Sequence, residues 1–167
     1  MGKQNITLIG MAGAGKSTVG SILAQKLGWA CIDTDKVIER VYGNPLQIIL
    51  NEIGEEKFRE IESSEIKKLN TIQRSVVSTG GSAVYSPDAM ALLKDNSTVV
   101  YLYADLDVIK KRIDVEERGI IGLKGTTLQQ LFEKREFLYK RFADITINTS
   151  GKTPSEIADE IISKTLL

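Results

Sequence analysis

The segment Gly10-Met11-Ala12-Gly13-Ala14-Gly15-Lys16-Ser17-Thr18 holds the residue types and spacing best suited to chemistry in this chain. It satisfies the pattern G-x-x-x-x-G-K-[ST], whose ligand is a chain of phosphates. Glycines let successive backbone N–H groups turn inward as an anion nest. A helix starting at Lys16 adds roughly half a positive charge beneath the anion. The Lys16 ammonium is suited to the β- and γ-phosphates of ATP, and the Ser17 hydroxyl to the accompanying Mg²⁺. Gly13, Ala14, Gly15, Lys16, Ser17 and Thr18 are therefore the expected nucleotide contacts. A glycine-rich turn without a ligand is the plainer alternative. The position of the octapeptide, between the apolar run Ile6–Ile9 and a helical stretch, favours the cradle.

Phosphate binding alone does not separate a kinase from a GTPase or a motor. The base-reading pattern N-K-x-D is absent, and no apolar strand ends in Asp-Glu. The first helical stretch is followed instead by Asp33-Thr34-Asp35, at the end of a second short apolar run. Ligands of a parallel sheet lie beyond the carboxyl ends of its strands, and residues two apart in an extended segment point the same way. One carboxylate could then serve Mg²⁺ while the other meets an acceptor hydroxyl; either could equally cap the helix expected over Val37 to Tyr42.

Composition narrows the chemistry further. The chain of 167 residues has no histidine, which removes His-based triads and most zinc sites. Its 22 basic residues balance 22 acidic ones, so no net field draws it to nucleic acid or a membrane surface. No apolar run is long enough to span a bilayer, and no signal-peptide pattern is present. A monomeric cytoplasmic enzyme with no nucleic-acid or membrane partner is the expectation. The single cysteine, Cys31, sits in Trp29-Ala30-Cys31-Ile32 and is expected to be a buried thiol.

The elements that must position these groups alternate. Short β-rich runs occur at Ile6–Ile9, Ala30–Ile32, Ser75–Ser78, Thr98–Tyr103 and Ile145–Ile147. Between them lie helical patterns over Lys16–Leu27, Glu55–Asn70, Asp88–Leu93, Leu106–Arg112 and Thr127–Arg141. A last helix opens with Thr153-Pro154-Ser155-Glu156, which combines a Thr cap, Pro at the first position and Glu at the third. Such alternation predicts an α/β domain, a parallel sheet with helices on both faces. No linker splits the chain, so residues 1–167 form one domain. Residues 114–126, glycines among charges, read as a mobile loop.

Across nearly its whole length, from Ile6 to about Ile161, the chain resembles shikimate kinase. The resemblance rests on the cradle, Ile32-Asp33-Thr34-Asp35, Phe58-Arg59-Glu60-Ile61-Glu62, Ser78-Thr79-Gly80-Gly81-Ser82-Ala83-Val84, Arg135-Glu136-Phe137-Leu138-Tyr139 and Ala143-Asp144-Ile145-Thr146-Ile147. It implies a three-layer α/β/α P-loop NTPase fold of the nucleoside-monophosphate-kinase type. A five-stranded parallel sheet, a substrate-binding region over about 33–62 and a mobile lid over about 113–126 go with it. By the same resemblance Asp33 joins Ser17 on Mg²⁺, and Asp35 binds ring hydroxyls and takes the proton of the one phosphorylated. Arg59 and Arg135 clamp the substrate carboxylate, Gly80 and Gly81 approach a substrate hydroxyl, Arg118 closes on the transferring phosphoryl group, and Arg112 and Pro154 flank the adenine. ATP and Mg²⁺ are the implied cofactors, and the implied reaction is phosphorylation of shikimate to shikimate 3-phosphate in aromatic amino acid biosynthesis.

The residues themselves fit this division. Arginine suits bidentate carboxylate recognition, and Glu62, three residues after Arg59 on a helix, is placed to orient it. Solvated ion pairs are the alternative for Arg59 and Arg135, and a strand-to-helix turn capped near Ser82 is the alternative for Gly80-Gly81. Two departures stand out. Ser82 occupies the place of a third glycine, and the lid reads Arg118-Gly119-Ile120-Ile121 where the family has Arg-Pro-Leu-Leu. Glycine for proline raises the freedom of the open lid by on the order of a kcal/mol. These departures keep two rivals in view: a sister kinase for another hydroxy acid such as gluconate, and a nucleotide-binding module without catalysis.

Overall fold

A computed structural model describes residues 3–113 and 120–165. Five strands, β1 (Asn5–Ile9), β2 (Ala30–Asp33), β3 (Ser75–Ser78), β4 (Ser97–Tyr103) and β5 (Ile145–Asn148), form one parallel sheet in the order β2-β3-β1-β4-β5. The helices are α1 (Lys16–Leu27), α2 (Thr34–Tyr42), α3 (Leu46–Lys67), α4 (Pro87–Asn96), α5 (Leu106–Arg112), α6 (Leu128–Phe142) and α7 (Pro154–Thr165). The three-layer arrangement expected from the alternation is the one observed. β1 lies at the centre and is buried along its whole length, so the turn that follows it opens at the middle of the sheet's carboxyl edge.

The helix α1 is tied down at both ends. The Ser78 hydroxyl on β3 donates to the Lys16 carbonyl at 3.0 Å. At the other end Gly28 takes the left-handed conformation, and the Trp29 N–H closes on the Ala24 carbonyl. The cap of α7 is as expected: Thr153 Oγ1 accepts from the Glu156 N–H while the Glu156 carboxylate accepts from the Thr153 N–H at 2.7 Å.

Two apolar clusters result. The larger one runs through both faces of the sheet; a smaller one joins Ile38 of α2, Ile49 and Phe58 of α3 and Ile121. This smaller cluster holds α2 and α3 together as a separate wall beside the cradle. About two turns of helix before Gly54 were not expected. Helix α3 begins at Leu46 and carries a kink at Gly54 (φ 80°, ψ 166°).

One expectation fails here. Cys31 is exposed, not buried: β2 is an edge strand with a partner on one side only, and its first two residues lie open. Of the segment expected to be a mobile lid, residues 114–119 lie outside the described residues, and Ile120 and Ile121 are described. Both are buried, and Ile121 packs into the smaller cluster, because two large aliphatic side chains gain by leaving water.

Candidate active site

The cradle is built from left-handed glycines. Gly13 (φ 82°) and Gly15 (φ 95°) turn the chain so that α1 starts with its amides toward the cleft. Lys16 is 8% exposed, and its ammonium donates to the carbonyls of Gly10 (2.6 Å) and Met11 (2.8 Å). Gly13, Gly15, Lys16, Ser17 and Thr18 line a cleft of about 500 Å³. Ala14 does not: it is buried, and its N–H donates to the Met11 carbonyl at 3.1 Å.

Beyond the cradle, Ser17 Oγ donates to Asp33 Oδ2 at 2.5 Å. Asp33 ends β2 and also caps α2, accepting from the Lys36 N–H at 3.2 Å, so the anticipated cap forms through Oδ1 while Oδ2 meets Ser17. Among the described residues no group of three or more Cys, Asp or Glu side chains could hold a metal by itself. A hydroxyl and one carboxylate meeting at the cradle mouth fit Mg²⁺, which keeps waters and takes phosphate oxygens rather than a full protein cage.

Asp33 and Asp35 do not share an extended segment, contrary to expectation. Helix α2 starts at Thr34, three residues earlier than expected, so Asp35 stands on its first turn and not in an extended segment. Both carboxylates nonetheless line the cleft. Gly80 lies between Asp35 and Glu62: a Cβ there would collide with Asp35 Oδ1 and with Glu62 Oε1. The Gly80 N–H donates to Thr34 Oγ1 at 3.1 Å, so its contribution is close approach rather than a free amide. Over Gly81 lies Arg135 Nη1, 2.7 Å from where a Cβ would sit.

Arg135 is 2% exposed, which excludes a solvated face. Its guanidinium donates to the Ile121 carbonyl (2.5 Å) and to the Tyr85 hydroxyl (3.4 Å). Arg59 is not brought into the same cleft. It lines a neighbouring hollow with Glu55, Glu60 and Tyr85, pairs with Glu55 at 3.8 Å and stacks 4.7 Å over the Tyr85 ring. The expected Arg59–Glu62 pairing is absent, because Glu62 turns inward. It is 2% exposed, accepts from Ser82 Oγ, and leaves Oε1 buried with no hydrogen-bond partner. Ser82 is accordingly no helix cap. Burial, reinforced by the Asp35 charge, pushes the Glu62 carboxyl up to about 7 despite the Ser82 bond and the charges of Arg135 and Lys16.

Arg112 and Pro154 both line the cleft, Arg112 donating to the Gly13 carbonyl at 3.3 Å. Arg118 and Gly119 lie outside the described residues. Sequence reasoning missed Tyr139 and Tyr85. The Tyr139 hydroxyl donates to the Gly81 carbonyl at 2.7 Å and fixes that floor, and burial raises its pKa. For Tyr139 the four-residue spacing from Arg135 was the available signal, since it places both on one helix face.

A phosphate cradle at the centre of a parallel five-stranded sheet, facing a second wall with carboxylates and a buried arginine, defines a P-loop small-molecule kinase. The family model described as shikimate kinase matches residues 12–166, and the chain belongs to the shikimate kinase family. A shikimate kinase of Persephonella marina is 38% identical over 96% of this chain and 98% of its own length. One of Sulfurihydrogenibium is 40% identical over 96% and 97%. Among solved structures, a shikimate kinase from Acinetobacter baumannii in complex with shikimate superposes with a TM-score of 0.90 at 32% identity, covering 98% of this chain and 93% of that one. A gluconokinase from Sinorhizobium meliloti reaches a TM-score of 0.59 at 15% identity, over 98% and 92%, which is likeness of fold alone.

Proposed function

We propose that this chain transfers the γ-phosphoryl group of ATP to the 3-hydroxyl of shikimate. The observation that carries the reading is one cleft lined by Lys16, Ser17, Asp33, Asp35, Gly80, Gly81 and Arg135, in a member of the shikimate kinase family.

The acceptor hydroxyl oxygen forms a bond to the γ-phosphorus as the bridging bond to the β-phosphate breaks and ADP leaves. The hydroxyl proton passes to Asp35, a carboxylate that borders the cleft beside Gly80. Lys16 exchanges the Gly10 and Met11 carbonyls for phosphate oxygens, and Arg112 and Pro154 border the adenine. Arg135, through the Nη1 face over Gly81, takes the substrate carboxylate; Arg59 joins the clamp by leaving Glu55. Gly81 offers its backbone to a ring hydroxyl, and Arg118 is carried over by resemblance as the lid residue on the moving phosphoryl group. Bound by Ser17 and Asp33, Mg²⁺ supplies charge neutralisation at the phosphates. Rate comes from positioning and charge, since phosphoryl transfer asks for little covalent chemistry from the protein. No helix among the described residues is long and apolar enough to cross a membrane, and a monomer acting in the cytoplasm, apart from nucleic acid, is the simplest setting.

ADP release with shikimate as sole acceptor, measured beside Asp35→Asn, tests the assignment. Turnover with shikimate and a loss of roughly 10²–10⁴ in the variant are expected. Equal ADP release with gluconate, or without any acceptor, overturns it.

A further inference from the structure

Ser82 stands where the glycine loop is expected to continue with a third glycine, and its side chain is not idle. It is 5% exposed, and its hydroxyl donates to Glu62 Oε2 in a short hydrogen bond. The other carboxyl oxygen, Oε1, is buried without a partner and flanks Gly80 on the same side as Asp35 Oδ1. An unpaired buried oxygen costs free energy unless a ligand or water meets it. Glu62 also borders the cleft in which the acceptor is read.

We propose that Ser82 is a positioning residue of the acceptor site: its hydroxyl orients the Glu62 carboxyl on the cleft floor and favours its ionised form, with Oε1 an acceptor beside Gly80. The inference rests on reading the cleft as the shikimate site. The physical reason is the change of sign that protonation brings. An ionised Glu62 only accepts hydrogen bonds. A protonated one carries a donor beside Asp35, the carboxylate that has to receive the substrate hydroxyl, and engages it in the substrate's place.

The groups facing Glu62 come from every element around it. They are Asp35 of α2, Ser82 after β3, Arg135 and Tyr139 of α6, and Lys16 of α1. Burial and Asp35 favour the neutral acid; Ser82, Arg135 and Lys16 favour the charge, and the balance falls at about 7. Of the three supporting groups only Ser82 has no other task assigned in the site. A hydrogen bond donated to a charged oxygen is worth enough that its loss moves a pKa by about one unit or more.

Two measurements on the intact chain test this. In the ligand-free protein, carbon-13 NMR of the glutamate carboxyls, with the Glu62 signal assigned by its loss in Glu62→Gln, follows the titration directly. The midpoint is expected near 7 and about one unit higher in Ser82→Ala. In steady-state kinetics with shikimate, the acid limb of kcat/KM is expected to move upward with it. The variant is then about fivefold slower at pH 7, the gap narrowing as pH rises, and Glu62→Gln lacks that limb. An unmoved midpoint with uniformly lower activity means Ser82 merely packs, and the proposal falls. Absence of transfer to shikimate by the unsubstituted chain would instead overturn the proposed function, while the NMR midpoint still decides the role of Ser82.

Discussion

A guanidinium that is 2% exposed needs partners for its donors, and Arg135 finds two of them in the Ile121 carbonyl and the Tyr85 hydroxyl. The fork is thereby oriented before any substrate arrives, with Nη1 over Gly81. Arg59 is held more loosely: its side chain is 41% exposed, and its Glu55 partner lies at 3.8 Å. Exposed pairs of that kind contribute about 0–1 kcal/mol. The two arginines are therefore unequal arms. Arg135→Lys, which removes the planar fork, is expected to raise the KM for shikimate about ten- to hundredfold. Arg59→Ala is expected to raise it less. Steady-state kinetics on both variants checks the order, and a larger effect at Arg59 would put the carboxylate on that side.

At the scale of elements, the α2–α3 wall beside the cradle depends on a bend in α3. Ile49 and Phe58, on opposite sides of the kink, reach the same cluster with Ile38 and Ile121. Gly54 makes this possible at φ 80°, ψ 166°, a backbone region that a side chain enters only under strain. A Cβ there would meet nothing within 4 Å, so the cost of adding one is conformational and not a clash. Gly54→Ala is expected to destabilise the fold by about 1–3 kcal/mol, read as a lower urea midpoint at unchanged m-value. Helix α6 is secured differently, by a capping box between Thr127 and Gln130, so that Arg135 and Tyr139 project from a firmly started helix.

Across the whole molecule, stability and site chemistry meet at Glu62. Its carboxyl has an ordinary value of 4.5 and is raised to about 7 in the fold. The folded state thus disfavours its ionised form. The penalty is absent below 4.5, grows as pH rises from there, and is complete above about 7. Glu62→Gln, uncharged throughout, is expected to be more stable than the parent at pH 8 by on the order of 3 kcal/mol. That advantage is mostly lost near pH 4.5, as urea melts at the two pH values would register. Greater stability with less activity is the exchange expected of a charge retained for function.

Contiguous residues decided much of this protein. The cradle Gly10–Ser17, the boundaries of α1 and α5, the five strand runs and the capped start of α7 are local features, set by spacing, glycine conformations and side chains a few residues apart. They were legible because each needs only its neighbours along the chain. Asp35 was singled out for a reason that did not hold: the helix starts at Thr34, and tertiary packing rather than strand alternation brings it to the cleft. The choice of partner for each buried charge belonged to the tertiary structure alone. On its helix Glu62 had Arg59 within reach, but burial turned it to Ser82, twenty residues away, and left Arg59 to Glu55 and Tyr85. Cys31 became exposed because β2 took the sheet's edge. Which groups face each other inside depends on how distant elements pack, and a buried carboxyl must take whichever donor that packing delivers.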